Sequence, residues 1–255
     1  MLNGNGMKLY LIRHGESENN ALWSSTGTTK GRVPDPELTE TGHKQAQLLA
    51  DHLADSQGEP LHHPWVAGEN GRRGFALTHV YCSLMTRSIL TAQYVSRSCN
   101  LPLLADADIF EKCGIYEETV DETKAGLPGP DREYFEKRFP KLKLPAVLGH
   151  GGWYNRPYET EVKFLQRSIQ VALDLRRPHE NTDDCVAMVI HGDLIDQLIN
   201  EVTGAGRHPE NHANYWDANW VFHNTSLTRI DFIYGSRVVV YTNRLQHLPP
   251  ELVTW

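Results

Sequence analysis

Cysteine is scarce and unpatterned in this chain. Cys82, Cys99, Cys113 and Cys185 are the only four among 255 residues, and no two have CxxC spacing. That fits buried free thiols in a reducing, cytoplasmic setting better than a disulfide framework. Cations are outnumbered as well: 25 Lys and Arg stand against 32 Asp and Glu, a formal net charge of −7. A nucleic-acid or anionic-membrane surface needs a basic excess, so neither partner is expected. No apolar run approaches the ~20 residues of a membrane span. No internal repeat or low-complexity tract is visible. The 13 histidines contain no HExxH motif and no Cys/His cluster at ligand spacing. His62, His63 and His150 therefore read as surface residues, and no metal or cofactor is expected.

What is present is ordinary in bulk and informative locally. With 40% hydrophobic and 22% charged residues, the composition suits one globular domain over 7–255, with 1–6 a flexible leader. The most telling segment is Leu11-Ile12-Arg13-His14-Gly15-Glu16-Ser17. An apolar strand that runs into Gly15 and a helix start gathers Arg13, His14 and backbone N–H groups at one point, as a phosphate would require. Three more polar groups follow apolar stretches in the same way. Arg87 comes after Leu77 to Cys82, Glu111 after Ile109-Phe110, and His191-Gly192 after Val186 to Ile190. Strand ends are where ligands bind in open α/β sheets.

The periodicity predicts alternating strands and helices, hence an α/β three-layer sandwich with a mostly parallel central sheet flanked by helices. Strands are expected over Met7 to Arg13, Leu101 to Leu104, Ser226 to Ile233 and Arg237 to Tyr241, the last two joined by a turn at Tyr234-Gly235-Ser236. Helices are expected near Glu16 to Trp23, from a Thr39 cap to Ala54, after Ser83, from Pro157 to Arg177, and over Leu194 to Val202. Glycine and proline mark 55–75 as a surface insertion. They also break the pattern across 110–156, where a short helix is expected at Arg132 to Arg138.

The ordered set of Arg13-His14-Gly15-Glu16-Ser17 with Asn20, Asp35 with Leu38-Thr39 and Gly42, and Ser83 with Arg87 and Thr91-Ala92 resembles the histidine phosphatase superfamily, the phosphoglycerate mutase-like enzymes. Glu111 with Gly114 and Glu117, His191-Gly192, and Asn224-Thr225-Ser226 extend the resemblance over nearly the whole chain. It implies that Arg13, His14, Arg87 and His191 form a phosphate pocket. Gly15, Asn20 and Gly192 would touch the substrate, Ser25 or Thr26 would sit on the rim, and 110–156 would form a cap insertion over the site.

In that chemistry His14 is a neutral nucleophile, and the arginines grip the equatorial oxygens. His191 adds a donor if protonated, and a protonated Glu111 supplies the leaving alkoxide with its proton. Glu117 and Glu118, one turn on, compete for the acid's role. The expected activity is metal-independent hydrolysis of a small phosphorylated substrate through phosphohistidine. A phosphomutase and a non-catalytic phospho-ligand binder are the alternatives. Phosphoglycerate mutases carry ERxYGxLxG, and the stretch Glu111-Lys112-Cys113-Gly114-Ile115-Tyr116-Glu117 lacks its Arg-x-Tyr, which points to hydrolysis. Asp193 replaces the family's commoner second glycine and suits a helix N-cap. Trp153, Tyr154, Arg156 and Tyr158 fit either a substrate mouth or a packed cap.

Overall fold

Alternation along the buried strands decides where the core sits. In the computed structural model, which describes residues 6–58, 73–119, 121, 123–148, 151–204, 219–233 and 235–255, the first half runs β1 (Lys8–Arg13), α1 (Glu18–Thr26), α2 (Glu40–Ala54), β2 (His79–Ser83), α3 (Thr86–Ser98), β3 (Leu103–Asp106), β4 (Tyr116–Glu118) and β5 (Lys124–Gly126). The second half runs α4 (Arg132–Arg138), β6 (Leu142–Lys143), α5 (Glu161–His179), β7 (Cys185–Ile190), α6 (Gly192–Thr203), β8 (Leu227–Ile233) and β9 (Ser236–Arg244), and ends in a 3-10 turn at Pro250–Leu252. Tyr10 and Ile12 of β1 join one core with Leu49 and Leu53 of α2 and Ile89 and Val95 of α3. Leu9 and Leu11, pointing the other way, join a second core with Phe164 and Val171 of α5 and Leu194 and Leu198 of α6. Two apolar faces on one strand give the three layers.

The seven-stranded sheet has the order β6-β3-β2-β7-β1-β8-β9. The pairs β6-β3, β3-β2, β2-β7 and β7-β1 are parallel, and β8 and β9 are antiparallel. Parallel pairing aligns the ends of β1, β2 and β7, so Arg13, Ser83 and Ile190 lead out of one edge. Among the described residues no helix is long and apolar enough to cross a membrane.

Several expectations need correction. The interval 110–156 is not irregular throughout: β4 and β5 form a hairpin, and β6 extends the main sheet beside β3. α5 starts four residues after Pro157, at Glu161, because the Thr160 side chain accepts from the Lys163 amide and caps it there. α6 starts at Gly192 with His191 as the N-cap residue, so Asp193 lies in the first turn and does not cap. Most of the proposed insertion 55–75, His62, His63, His150, Tyr234 and most of the leader lie outside the described residues.

A close approach of two glycines fixes the segment after β1. A Cβ on Gly42 would lie 2.1 Å from the Glu16 carbonyl oxygen, and one on Gly15 would lie 2.6 Å from the Gly42 oxygen. Thr39 secures the same contact, its amide donating to Glu16 O (3.0 Å) and its hydroxyl to Glu16 Oε1 (2.6 Å). Helix propensity alone would make Gly42→Ala stabilising by about 0.5–1 kcal/mol. The contact reverses the sign. We expect a loss of about 1–3 kcal/mol, read from urea unfolding, because backbone must move; an unchanged or higher midpoint would show that the two segments separate freely.

Candidate functional site

Every backbone N–H from His14 to Ser17 is already used. His14 N donates to Ile190 O at 3.0 Å, Gly15 N to Thr91 Oγ1 at 2.9 Å, Glu16 N to Gln45 Oε1 at 2.7 Å and Ser17 N to Asn20 Oδ1 at 3.1 Å. The expected cradle of free amides is therefore absent here. These bonds position the loop and leave its four amides unavailable to an anion. Gly15 is a positioning residue in this arrangement: its carbonyl accepts the His14 Nδ1 proton at 2.7 Å. That bond sets the tautomer and leaves the lone pair of His14 on Nε2.

One side chain touches that nitrogen, and three more stand around the pair. Arg87, in the first turn of α3, donates from Nε to His14 Nε2 at 3.0 Å. Asp35 lies 3.9 Å from its Nη1 and is itself tied to α3 by the Thr86 amide (3.0 Å) and hydroxyl (2.7 Å). Arg13 donates from Nη1 to Phe222 O at 2.6 Å, while its Nε is buried without an acceptor among the described residues. The His191 ring stands 5.2 Å from the His14 ring, centroid to centroid. Gly192 begins α6, where a Cβ would lie 3.6 Å from Arg13 Nε.

Burial keeps both imidazoles neutral. His14 is held well below the ordinary histidine range by loss of water, then by Arg87 and Arg13. His191 is pushed the same way by burial, Arg87 and His14. Burial disfavours the protonated form on which the donor role of His191 is conditional. Its Nε2 is 2.7 Å from Ser83 Oγ, which accepts from the Met85 amide at 3.3 Å. If the Ser83 proton goes to Nε2, the imidazole N–H sits on Nδ1, a buried atom with no partner among the described residues. A neutral His191 can donate from there.

Glu111 completes the group. Loss of water, then Asp193, raises its pKa to about 7 against the pull of Arg87 and Arg13. Glu117 and Glu118 are exposed on β4. A cavity of about 170 Å³ is lined by Arg13, His14, Asn20, Arg87 and Glu111 and also by Ser17, Asn19, Arg32, Lys112 and Tyr116. Asn20 lines it while its Oδ1 closes the cap of α1 with Ser17. Ser25 and Thr26 do not reach it; both hydroxyls donate to the Leu22 carbonyl within α1.

Sequence reading missed Arg32, whose guanidinium lies 4.0 Å over the Tyr116 ring and donates to Tyr116 O at 3.1 Å. A loop arginine gives no signal by itself. Trp153 and Tyr154 resolve as a packed cap, 4% and 2% exposed, edge-on to Phe110. Neither they, Arg156 nor Tyr158 lines this cavity. A larger hollow of about 510 Å³ lies over α5, between Asp106, Arg156, Glu159 and Asp174, and contains none of the histidines.

A family model described as histidine phosphatase superfamily (branch 1) matches residues 9–65 and 67–244. A protein of Yersinia pestis (strain Pestoides F) named probable phosphoglycerate mutase GpmB is 25% identical over 229 residues, covering 89% of this chain and 85% of its own. Among solved structures, phosphoserine phosphatase from Entamoeba histolytica, seen with phosphoserine and with 3-phosphoglyceric acid, superposes with a TM-score of 0.54 at 21% identity, over 95% of this chain and 100% of that one. A mycobacterial glucosyl-3-phosphoglycerate phosphatase in complex with VO3 gives 0.55 at 19% identity, over 93% and 99%. The extent of the family match settles the classification: the chain belongs to branch 1 of the histidine phosphatase superfamily.

Proposed function

We propose that the protein is a phosphomonoester hydrolase that works through a phosphohistidine on His14, acting on a small phosphorylated substrate in the cytoplasm. The observation that carries this reading is that two buried atoms, Arg13 Nε and His191 Nδ1, have no hydrogen-bond partner among the described residues, close to a His14 that burial holds neutral. A buried donor without a partner costs about 1–3 kcal/mol, and a phosphoryl group would relieve both costs at once. An arriving oxyanion also offers Arg87 a stronger acceptor than His14 Nε2, which frees the attacking lone pair.

In the first step His14 Nε2 bonds to phosphorus as the P–O ester bond breaks, and Glu111 passes its proton to the leaving oxygen. In the second, water attacks phosphorus, its proton returns to Glu111, and the N–P bond breaks to release inorganic phosphate. The arginines supply the positive charge throughout, so no metal is required for either step. The mutase reading stays in play through the name of the Yersinia relative. Assays of phosphate release and of 2-/3-phosphoglycerate interconversion, run side by side, separate the two.

Removing the nucleophile removes the two-step route, so His14→Ala should cut the rate by more than roughly 10³. Rapid quench with ³²P-labelled substrate is expected to trap an acid-labile, base-stable adduct in the wild type and none in the variant. An adduct mapped to His191 would reverse the roles of the two histidines.

Glu111 must carry its proton to act as the acid, and its pKa is about 7. Turnover of esters with poor leaving groups should therefore fall as pH rises through this value. On the acid side, activity should persist to well below the usual histidine range, because burial keeps His14 unprotonated there. Glu111→Gln should slow poor leaving groups by roughly 10² while sparing p-nitrophenyl phosphate. Equal losses on both would make Glu111 a binding group.

Prolonged chelation should leave phosphate release unchanged. A loss of rate restored by a divalent ion would overturn the metal-free mechanism.

A further inference from the structure

The strands that deliver Ser83 and Ile190 to the phosphate pocket carry a second cluster at their opposite ends. His79 opens β2, Asp184 immediately precedes β7, and His179 ends α5. The parallel register of β2 and β7 brings the first two together, since His79 is opposite Val186. Thr78 locks the junction: its amide donates to Cys185 O (2.8 Å) and its hydroxyl accepts from Cys185 N (3.0 Å). One ligating atom from each of His79, His179 and Asp184 lies within 4.8 Å of the other two.

We propose that His79, His179 and Asp184 bind one divalent ion of the zinc class. His179 Nδ1 is 2.8 Å from Asp184 Oδ2, and His79 Nδ1 is 3.8 Å from Asp184 Oδ1. Zinc bonds of about 2.0–2.2 Å in a tetrahedron place neighbouring ligand atoms roughly 3.2–3.6 Å apart. The two separations run to different oxygens of Asp184, and His79 Nδ1 also lies 2.9 Å from Thr78 Oγ1, so side-chain rotation that brings one Asp184 oxygen between the imidazoles is what closes the site. Tyr81 supplies the outer support that metal-binding imidazoles need, its hydroxyl lying 3.1 Å from His179 Nε2 and leaving Nδ1 to face the ion.

Two imidazoles and a single carboxylate select zinc, cobalt or nickel over magnesium or calcium, which take oxygen ligands. The His79 and Asp184 side chains are 33% and 23% exposed, so water has access to a fourth position. Five residues of strand at about 3.3 Å each separate Cys185 from Ile190, placing the cluster roughly 16 Å from the phosphate edge. The ion therefore clips the end of α5 to the starts of β2 and β7, and takes no part in phosphoryl transfer. The spacing of these three residues along the chain matches no local motif, so the sequence does not announce the site.

The test uses the full-length protein, stripped with chelator, titrated with Zn²⁺ by calorimetry and with Co²⁺ by visible absorption. One saturable site and a rise in Tm are expected. His79→Ala and Asp184→Asn should each weaken binding at least tenfold with far-UV dichroism unchanged, while a His62→Ala/His63→Ala double variant should bind as the wild type does. Phosphate release by stripped His79→Ala should equal that of the stripped wild type. No saturable binding, undiminished affinity in both His79→Ala and Asp184→Asn, or loss of the site in the His62/His63 variant would overturn the proposal. These outcomes are independent of whether His14 proves to be the nucleophile.

Discussion

Two guanidinium groups held in a dry place beside two neutral imidazoles are the constraint on which the rest depends. Burial pulls the pKa of Arg13 down to about 10 and lowers that of Arg87 as well. Such groups stay in place only if enough of their donors are met by fixed acceptors. Phe222 O holds one end of Arg13, and Asp35 faces Arg87 from the loop before α2. The acceptors are fewer than the donors. Burial, then the charge of these arginines, keeps the imidazoles neutral, and the shortfall of acceptors leaves the pocket open to an anion.

The surrounding fold reads as the means of keeping this group dry and aligned. His14 is fixed from three sides: by β7 through Ile190 O, by the turn at Asn224 and Thr225, and by Arg87. The contact of Gly15 and Glu16 with Gly42 presses the same loop on the start of α2. Asp193 then acquires a physical consequence. It does not cap α6, but its carboxylate is the second cause, after burial, of the raised pKa of Glu111. A glycine there would leave the proton on Glu111 more weakly held.

Much of this was legible in the sequence because strand ends and helix faces leave periodic marks. The spans of β1, α2, α4 and β7 follow from apolar spacing and caps, and α4 falls on Arg132–Arg138 as expected. β4, β5 and β6 escape because strands of two or three residues have no alternation to read. α5 starts late because a capping hydroxyl at Thr160 overrides a nearby proline. The free-amide cradle was a wrong inference for an instructive reason. Sequence shows that N–H groups exist near Gly15, but not that Thr91, Gln45 and Asn20, distant or local, already accept them. Arg32 and the His79 cluster were invisible for the same cause: each is assembled by packing between remote segments.

On the proposed mechanism, what separates hydrolysis from transfer is which molecule attacks the phosphorylated histidine, and that depends on how long the first product stays. Beyond the phosphate donors, Arg32 and Lys112 are the further cations lining the cavity. Both are already engaged. Arg32 lies on the Tyr116 ring and donates to its carbonyl, and Lys112 is paired with Glu161 at 2.6 Å. A departing alcohol with its own anionic group would have to compete for them, and ion pairs with exposed partners yield little net attraction. Weak retention favours departure, and on the proposed mechanism the vacated space then fills with water beside Glu111, the base of the second step. The same engagement of Arg32 with Tyr116 ties the loop before α2 to the β4–β5 hairpin, so the feature that loosens the product also closes the cap.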